Sequence, residues 1–214
     1  AVNVNQGEEI AGVNNIQGIF ASGVSDSLSS LVSGGNSTAK LNTITGDDGD
    51  VAITVSDSAF TTSNATLTAA DLIAVGGATT GTVTVTNAVK ISGNTSQLTN
   101  TLVSGSSSVT ASSALVTVSD AAFSTSNATI AATTLSDIGG KTSGAVTVTK
   151  AVKISGATAD LTNTLVSGSS LVIAGTALVT VSDAAFSTSS ATIAATALSD
   201  IGGKTSGAVT VTKA

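Results

Sequence analysis

The chain has 214 residues, with 13 acidic residues against seven lysines and a net charge of −6. It contains no Cys, His, Met, Trp, Tyr, Pro or Arg, which excludes disulfides, thiolate or imidazole metal sites, Ser-His-Asp and Cys-His catalytic sets and arginine phosphate clamps. The acidic balance argues against a nucleic-acid partner, and no apolar run reaches the roughly 18 residues that insertion into a membrane requires.

Apolar residues make up 41% of the chain, too many for ordinary disorder. They are almost all Ala, Val, Ile and Leu, with four Phe as the only aromatics. A core of small aliphatic side chains suits a thin body whose opposite walls lie close together.

In chain order, Ala1–Gly18 comes first and carries both glutamates, Glu8 and Glu9. It has no counterpart elsewhere and is expected to act as a cap, a docking strand or an arm. Ile19–Gly34 (IFASGVSDSLSSLVSG) echoes Lys90–Gly105 (KISGNTSQLTNTLVSG), which marks it as a degenerate half-coil. Residues 1–50 therefore stand apart as an N-terminal segment. Gly46-Asp47-Asp48-Gly49-Asp50 is the densest acidic cluster. Asp47, Asp48 and Asp50 are candidate ligands for a calcium ion; the competing reading is a solvated loop before the first repeat.

From residue 51 the chain repeats. Phe60, Phe123 and Phe186 lie 63 residues apart, as do Asp57, Asp120 and Asp183, and Ala114–Ala151 matches Ala177–Ala214 except at Asn127/Ser190 and Thr134/Ala197. The repeats run 51–113, 114–176 and a partial 177–214. Each divides into two coils of about 30 residues, within the usual range for stacked repeats. Val116-Thr-Val-Ser and Val146-Thr-Val-Thr alternate as strands with Val inward. Ala151–Ser155 and Leu171–Ala174 read as further short strands. Thr68-Ala-Ala-Asp71 has the form of a capping box opening a short helix that Gly76 closes. The pairs Leu98/Leu102 and Leu161/Leu165 mark other helices of one or two turns. The predicted fold class is therefore mainly β: a parallel β-solenoid with short helices in its coils and each Phe stacked near its equivalents. The sequence ends inside a repeat, so the expectation is either a piece of a longer chain or a subunit completed by another molecule.

The strings VTVSDAAFS, SGAVTVTKAVKISG, TAADLIAVGG and DLTNTLVSGSS resemble the secreted Thr/Ala/Val-rich β-strand-repeat surface proteins of cyanobacteria and other aquatic bacteria. Those proteins often accompany haemolysin-type calcium-binding repeats. The resemblance covers about residues 50–214, and weakly 19–34, and implies a cell-surface or extracellular location. The calcium nonapeptide Gly-Gly-x-Gly-x-Asp is missing from this chain.

Other candidate features have plain structural readings. Asp57, Asp120 and Asp183 end strands and are expected to close local Asx-turns. Lys141-Thr-Ser-Gly144 and Lys204-Thr-Ser-Gly207 resemble a penicillin-binding-protein fragment and are read as surface turns. Thr82, Thr84 and Thr86 form a Thr-x-Thr array that would match ice if it recurred on a flat face. Four Asn-x-Ser/Thr sequons, at Asn36, Asn64, Asn94 and Asn127, are candidate glycan attachment sites. No nucleophile has a recognisable base and orienting partner, so the chain is not read as an enzyme. The expected function is an extracellular structural protein that binds copies of itself end to end, Ala1–Gly18 against Ala208–Ala214. A stalk of a large adhesin or surface-layer protein is the alternative, and ice binding is third.

Overall fold

Runs of β-branched residues alternate along the chain with Ala- and Leu-bearing stretches, and the backbone alternates strand with helix accordingly. A computed structural model describes residues 1–13, 20–61, 66–105, 109–185 and 192–212. The chain divides into two units, Ala1–Ala114 and Leu115–Ala214.

The first unit opens with helix α1 (Val4–Ala11) and strand β1 (Val24–Asp26), followed by the single helical turn α2 (Leu28–Leu31). A hairpin of β2 (Val32–Ser33) and β3 (Asn36–Ser37) turns through Gly34 and Gly35, whose φ of 59° and 78° only glycine adopts freely. Helix α3 (Ala39–Asp47), β4 (Ile53–Val55), β5 (Leu67–Thr68), α4 (Ala69–Ala78), β6 (Val83–Val85) and β7 (Lys90–Gly93) follow. Helix α5 (Thr95–Leu98) widens into a π-helical segment, Thr99–Val103, before β8 (Val109–Thr110). Four strands pair in parallel in the order β1-β4-β6-β8, and β5 pairs in parallel with β7. Val24, Ile53, Val83 and Val109 share one register row, and all four are buried.

The second unit contains β9 (Leu115–Val118), α6 (Phe123–Ser126), β10 (Thr129–Ala131), α7 (Ala132–Gly139), β11 (Val146–Val148) and β12 (Lys153–Gly156). Helix α8 (Thr158–Leu161) again widens into a π-helical segment, Thr162–Val166. Strands β13 (Val172–Ile173) and β14 (Leu178–Val181), helix α9 (Ala195–Gly202) and β15 (Val209–Val211) complete it. Strand β11 lies between β9 and β13, and a second parallel sheet runs β10-β12-β14-β15. Ile130, Ile154 and Val179 form a buried row there. Alternation buries both Val residues of the Val-Thr-Val runs in β6, β9, β11 and β14, as the sequence pattern requires, whereas in β15 Val209 is half-buried and Val211 exposed.

The architecture is α/β. Helix accounts for 36% and strand for 23%, so the expected mainly-β parallel β-solenoid is overturned. Helices α2, α5, α6 and α8 are single turns, whereas α4, at 10 residues, is longer than its local signals suggest and α3, at 9, has no counterpart in the sequence reading. Tertiary burial extends them beyond what intrinsic propensity supports. Helix α4 buries Ala69, Leu72, Val75 and Gly76 on one face, and Thr68 Oγ1 accepts from the Asp71 N–H at 3.0 Å. The π-helical segments are equally packed. Thr101 is fully buried, and its hydroxyl contacts Gln97 O at 2.8 Å and Ala69 O at 3.0 Å. Thr164 repeats the second contact on Ala132 O at 2.9 Å.

Candidate functional site

The acidic cluster lies at the end of α3. Asp47 is the last helical residue, Asp48 caps the helix, and Asp50 follows in the turn. Burial, a hydrogen bond shared with Asp50 and the negative charges of Asp50 and Asp47 hold the Asp48 carboxyl above the usual carboxylate range. Among the described residues no group of three or more Asp or Glu side chains is set to hold a metal ion.

The strand-exit aspartates act at longer range than an Asx-turn. Asp57 Oδ2 accepts from the Leu28 N–H at 2.7 Å. Asp183 Oδ2 accepts from the Thr158 N–H at 2.8 Å and from the Thr158 hydroxyl at 2.6 Å. Asp26, outside the repeats, accepts from the Val4 N–H at 3.2 Å. Leu28, Thr158 and Val4 are the first residues of α2, α8 and α1. Ser27 and Ala157, the local cap residues of α2 and α8, supply no side-chain cap. A carboxylate from a later strand therefore satisfies an otherwise unpaired donor at the positive end of each helix.

The Lys-Thr-Ser-Gly tetrads are turns held by their threonines. Thr205 Oγ1 accepts from the Gly207 N–H at 3.0 Å and donates to Ala177 O at 2.6 Å. Thr79, in the lysine-free first copy, does the same with Gly81 N–H at 2.9 Å and Val51 O at 2.7 Å. Ser37 and Lys40 have the Ser-x-x-Lys spacing of serine acyl-transfer enzymes, a match that sequence reading missed. The two side chains turn to different partners. Lys40 Nζ donates to Asn5 Oδ1 at 2.8 Å and pairs with Glu8 at 3.1 Å, while the Ser37 hydroxyl donates to Asn42 Oδ1 at 2.6 Å.

Hydroxyls line up across the first unit's sheet. Ser25, Thr54, Thr84 and Thr110 occupy adjacent register positions on β1, β4, β6 and β8. In the second unit the equivalent row reads Thr117, Thr147, Ile173, so the array is interrupted. The sequons differ in setting. Asn94 caps α5 and accepts from the Gln97 N–H at 2.9 Å, Asn36 is exposed in the hairpin, and Asn127 is exposed with φ 52°. Asn64 and Phe186 lie outside the described residues.

Phe60 and Phe123 are half-buried. Lys90 Nζ and Lys153 Nζ each lie 5.1 Å from the ring centroid. The 30-residue separation of each Phe and Lys hides this pairing from local sequence patterns. Strands β13 and β15 lie at the margins of their sheets, with Ile173 56% and Val211 44% exposed.

No family model, curated protein or solved structure matches the chain.

Proposed function

We propose that this chain is a structural protein of the cell exterior that assembles with copies of itself by parallel strand addition. The observation carrying this reading is the pair of open sheet margins. β13 and β15 contain only Val, Ile and Thr, with exposed Ile173 and Val211 and no charge or proline to block pairing. Thr212 N–H donates to Val181 O at 3.1 Å, so the Val211 N–H faces away from β14 toward the open side.

The partner surface in the next copy is its N-terminal segment, Ala1–Gly18, set against Ala208–Ala214. Val2 bridges Val24 in parallel at the margin of the β1-β4-β6-β8 sheet, while Val4–Ala11 is helical. The pairing segment is therefore Ala1–Asn3. A contact between two different surfaces that does not close on itself produces an open polymer. The Ser/Thr-rich surface and net charge of −6 keep such a polymer hydrated. The role is mechanical, not enzymatic.

Negative-stain micrographs and light scattering of the purified chain are expected to show filaments or sheets whose mass rises with concentration. Val211→Pro removes one outward donor, leaves the bonds to β14 intact and is expected to yield monomers with an unchanged circular dichroism spectrum. A wild type that stays monomeric at high concentration, or a Val211→Pro variant that polymerises equally, would sink this reading. A second reading, a stalk segment of a large adhesin, is favoured by the near identity of Ala114–Ala151 and Ala177–Ala214. Many further 63-residue repeats in the flanking gene sequence would support it.

A further inference from the structure

We infer that the groove between the Phe123 segment and the outer face of β14 and β15 binds a neutral pyranose sugar, one unit of a polysaccharide. The groove lies wholly within the second unit. It has a volume of about 200 Å³, and its lining includes Phe123, Lys153, Leu178, Thr180, Thr210 and Thr212. The Phe123 N–H donates to Ala151 O at 2.9 Å, which fixes the backbone beneath the ring.

The polar groups facing this space have unused capacity. Thr180 is only 8% exposed, and its hydroxyl has no hydrogen-bond partner among the described residues. A hydroxyl so placed ordinarily finds a partner. Thr210, the direct register partner of Thr180 on the next strand, is exposed. The Thr212 hydroxyl donates to Val181 O at 3.1 Å and keeps lone pairs to accept with. The Lys153 ammonium sits 5.1 Å from the Phe123 centroid and has three donors.

A pyranose matches this combination. Its C–H groups pack against the apolar lining that Phe123, Leu178 and Val179 provide, while its rim of hydroxyls both donates and accepts. Among the described residues no carboxylate lines the groove, so it supplies no negative charge to neutralise a cation. The chain's charge of −6 disfavours a polyanion, which selects an uncharged sugar. The Phe60–Lys90 pair repeats the ring and ammonium at the same 5.1 Å, one 63-residue period earlier. This site goes beyond self-assembly and does not depend on it.

Titration of the full chain, with Thr methyl NMR as readout, tests the site. The neutral probes are cellotetraose, maltotetraose and mannotetraose; the charged probe is tetragalacturonate. At least one neutral probe is expected to saturate and shift the Thr180 and Thr210 methyls. Thr180→Val and Phe123→Leu should each weaken it about fivefold or more, the loss of one hydrogen bond or ring contact. Thr180→Val removes a hydroxyl that bonds nothing among the described residues, so its melting temperature should match the wild type even if Phe123→Leu loosens its segment. The site is refuted if no neutral probe saturates, if only tetragalacturonate binds, or if Thr180→Val binds as well as the wild type.

Discussion

Three carboxylates show how single residues stabilise this fold. Asp26, Asp57 and Asp183 each bond the first N–H of a helix lying 22, 29 and 25 residues earlier. Asp183→Ala is expected to destabilise the protein by about 1 kcal/mol, the usual cost of losing a helix cap. Asp183→Asn, which keeps an acceptor oxygen, should cost less; urea titrations distinguish the two. Asp48 works in the opposite sense. Its folded-state affinity for a proton exceeds that of the unfolded chain, because burial and its acidic neighbours disfavour the charge. Its contribution therefore stabilises as pH falls from neutral toward the ordinary value of 3.8 and is lost as pH rises through the raised value. Asp48→Asn should be more stable than the wild type at pH 7, with a higher urea midpoint and a weaker dependence on pH across that window. Nothing in the sequence singled out Asp26, whereas Asp57 and Asp183 were visible there as part of a periodic row and Asp48 as part of a cluster. Their partners were not, because a bond across some 25 residues leaves no local pattern.

At the level of elements, the strands were legible and the helices only partly so. Val-Thr-Val alternation located β6, β11 and β15, and the Leu98/Leu102 and Leu161/Leu165 spacings located the α5 and α8 regions. The lengths of α3 and α4 and the widening into π-helical turns were hidden. They depend on burial of Leu41, Ile44, Leu72 and Val75 and on the Thr101 and Thr164 hydroxyls reaching neighbouring carbonyls. The turns before the strands are set by backbone approach. A Cβ at Gly81 would overlap Asp50 O and Val51 O, whereas one at Gly77, inside α4, meets nothing within 4 Å. Gly81→Ala is expected to destabilise by about 2 kcal/mol through overpacking. Gly77→Ala should stabilise by about 0.5–1 kcal/mol through helix propensity. Thermal melts of the pair should move in opposite directions.

For the whole molecule, the 63-residue period was plain in the sequence, and the parallel pairing follows its division into coils of about 30 residues, with Val116 beside Val146 and Ile53 beside Val83. The fold class was not, since the period fixes how often the chain returns but not how much helix lies between returns. Strand addition between copies belongs to this scale. Replacing Val211 with Lys places a charge on the exposed margin and should raise the concentration at which polymers form, most strongly at low salt. Sedimentation across a salt series measures that shift.

The late-arriving carboxylates also impose a direction on folding. Each helix that borrows its cap from downstream stays unfinished until the ribosome has added another 22 to 29 residues. A nascent chain should thus finish α1, α2 and α8 only once Asp26, Asp57 and Asp183 have been added, so that synthesis stalled between a helix and its aspartate leaves that helix frayed.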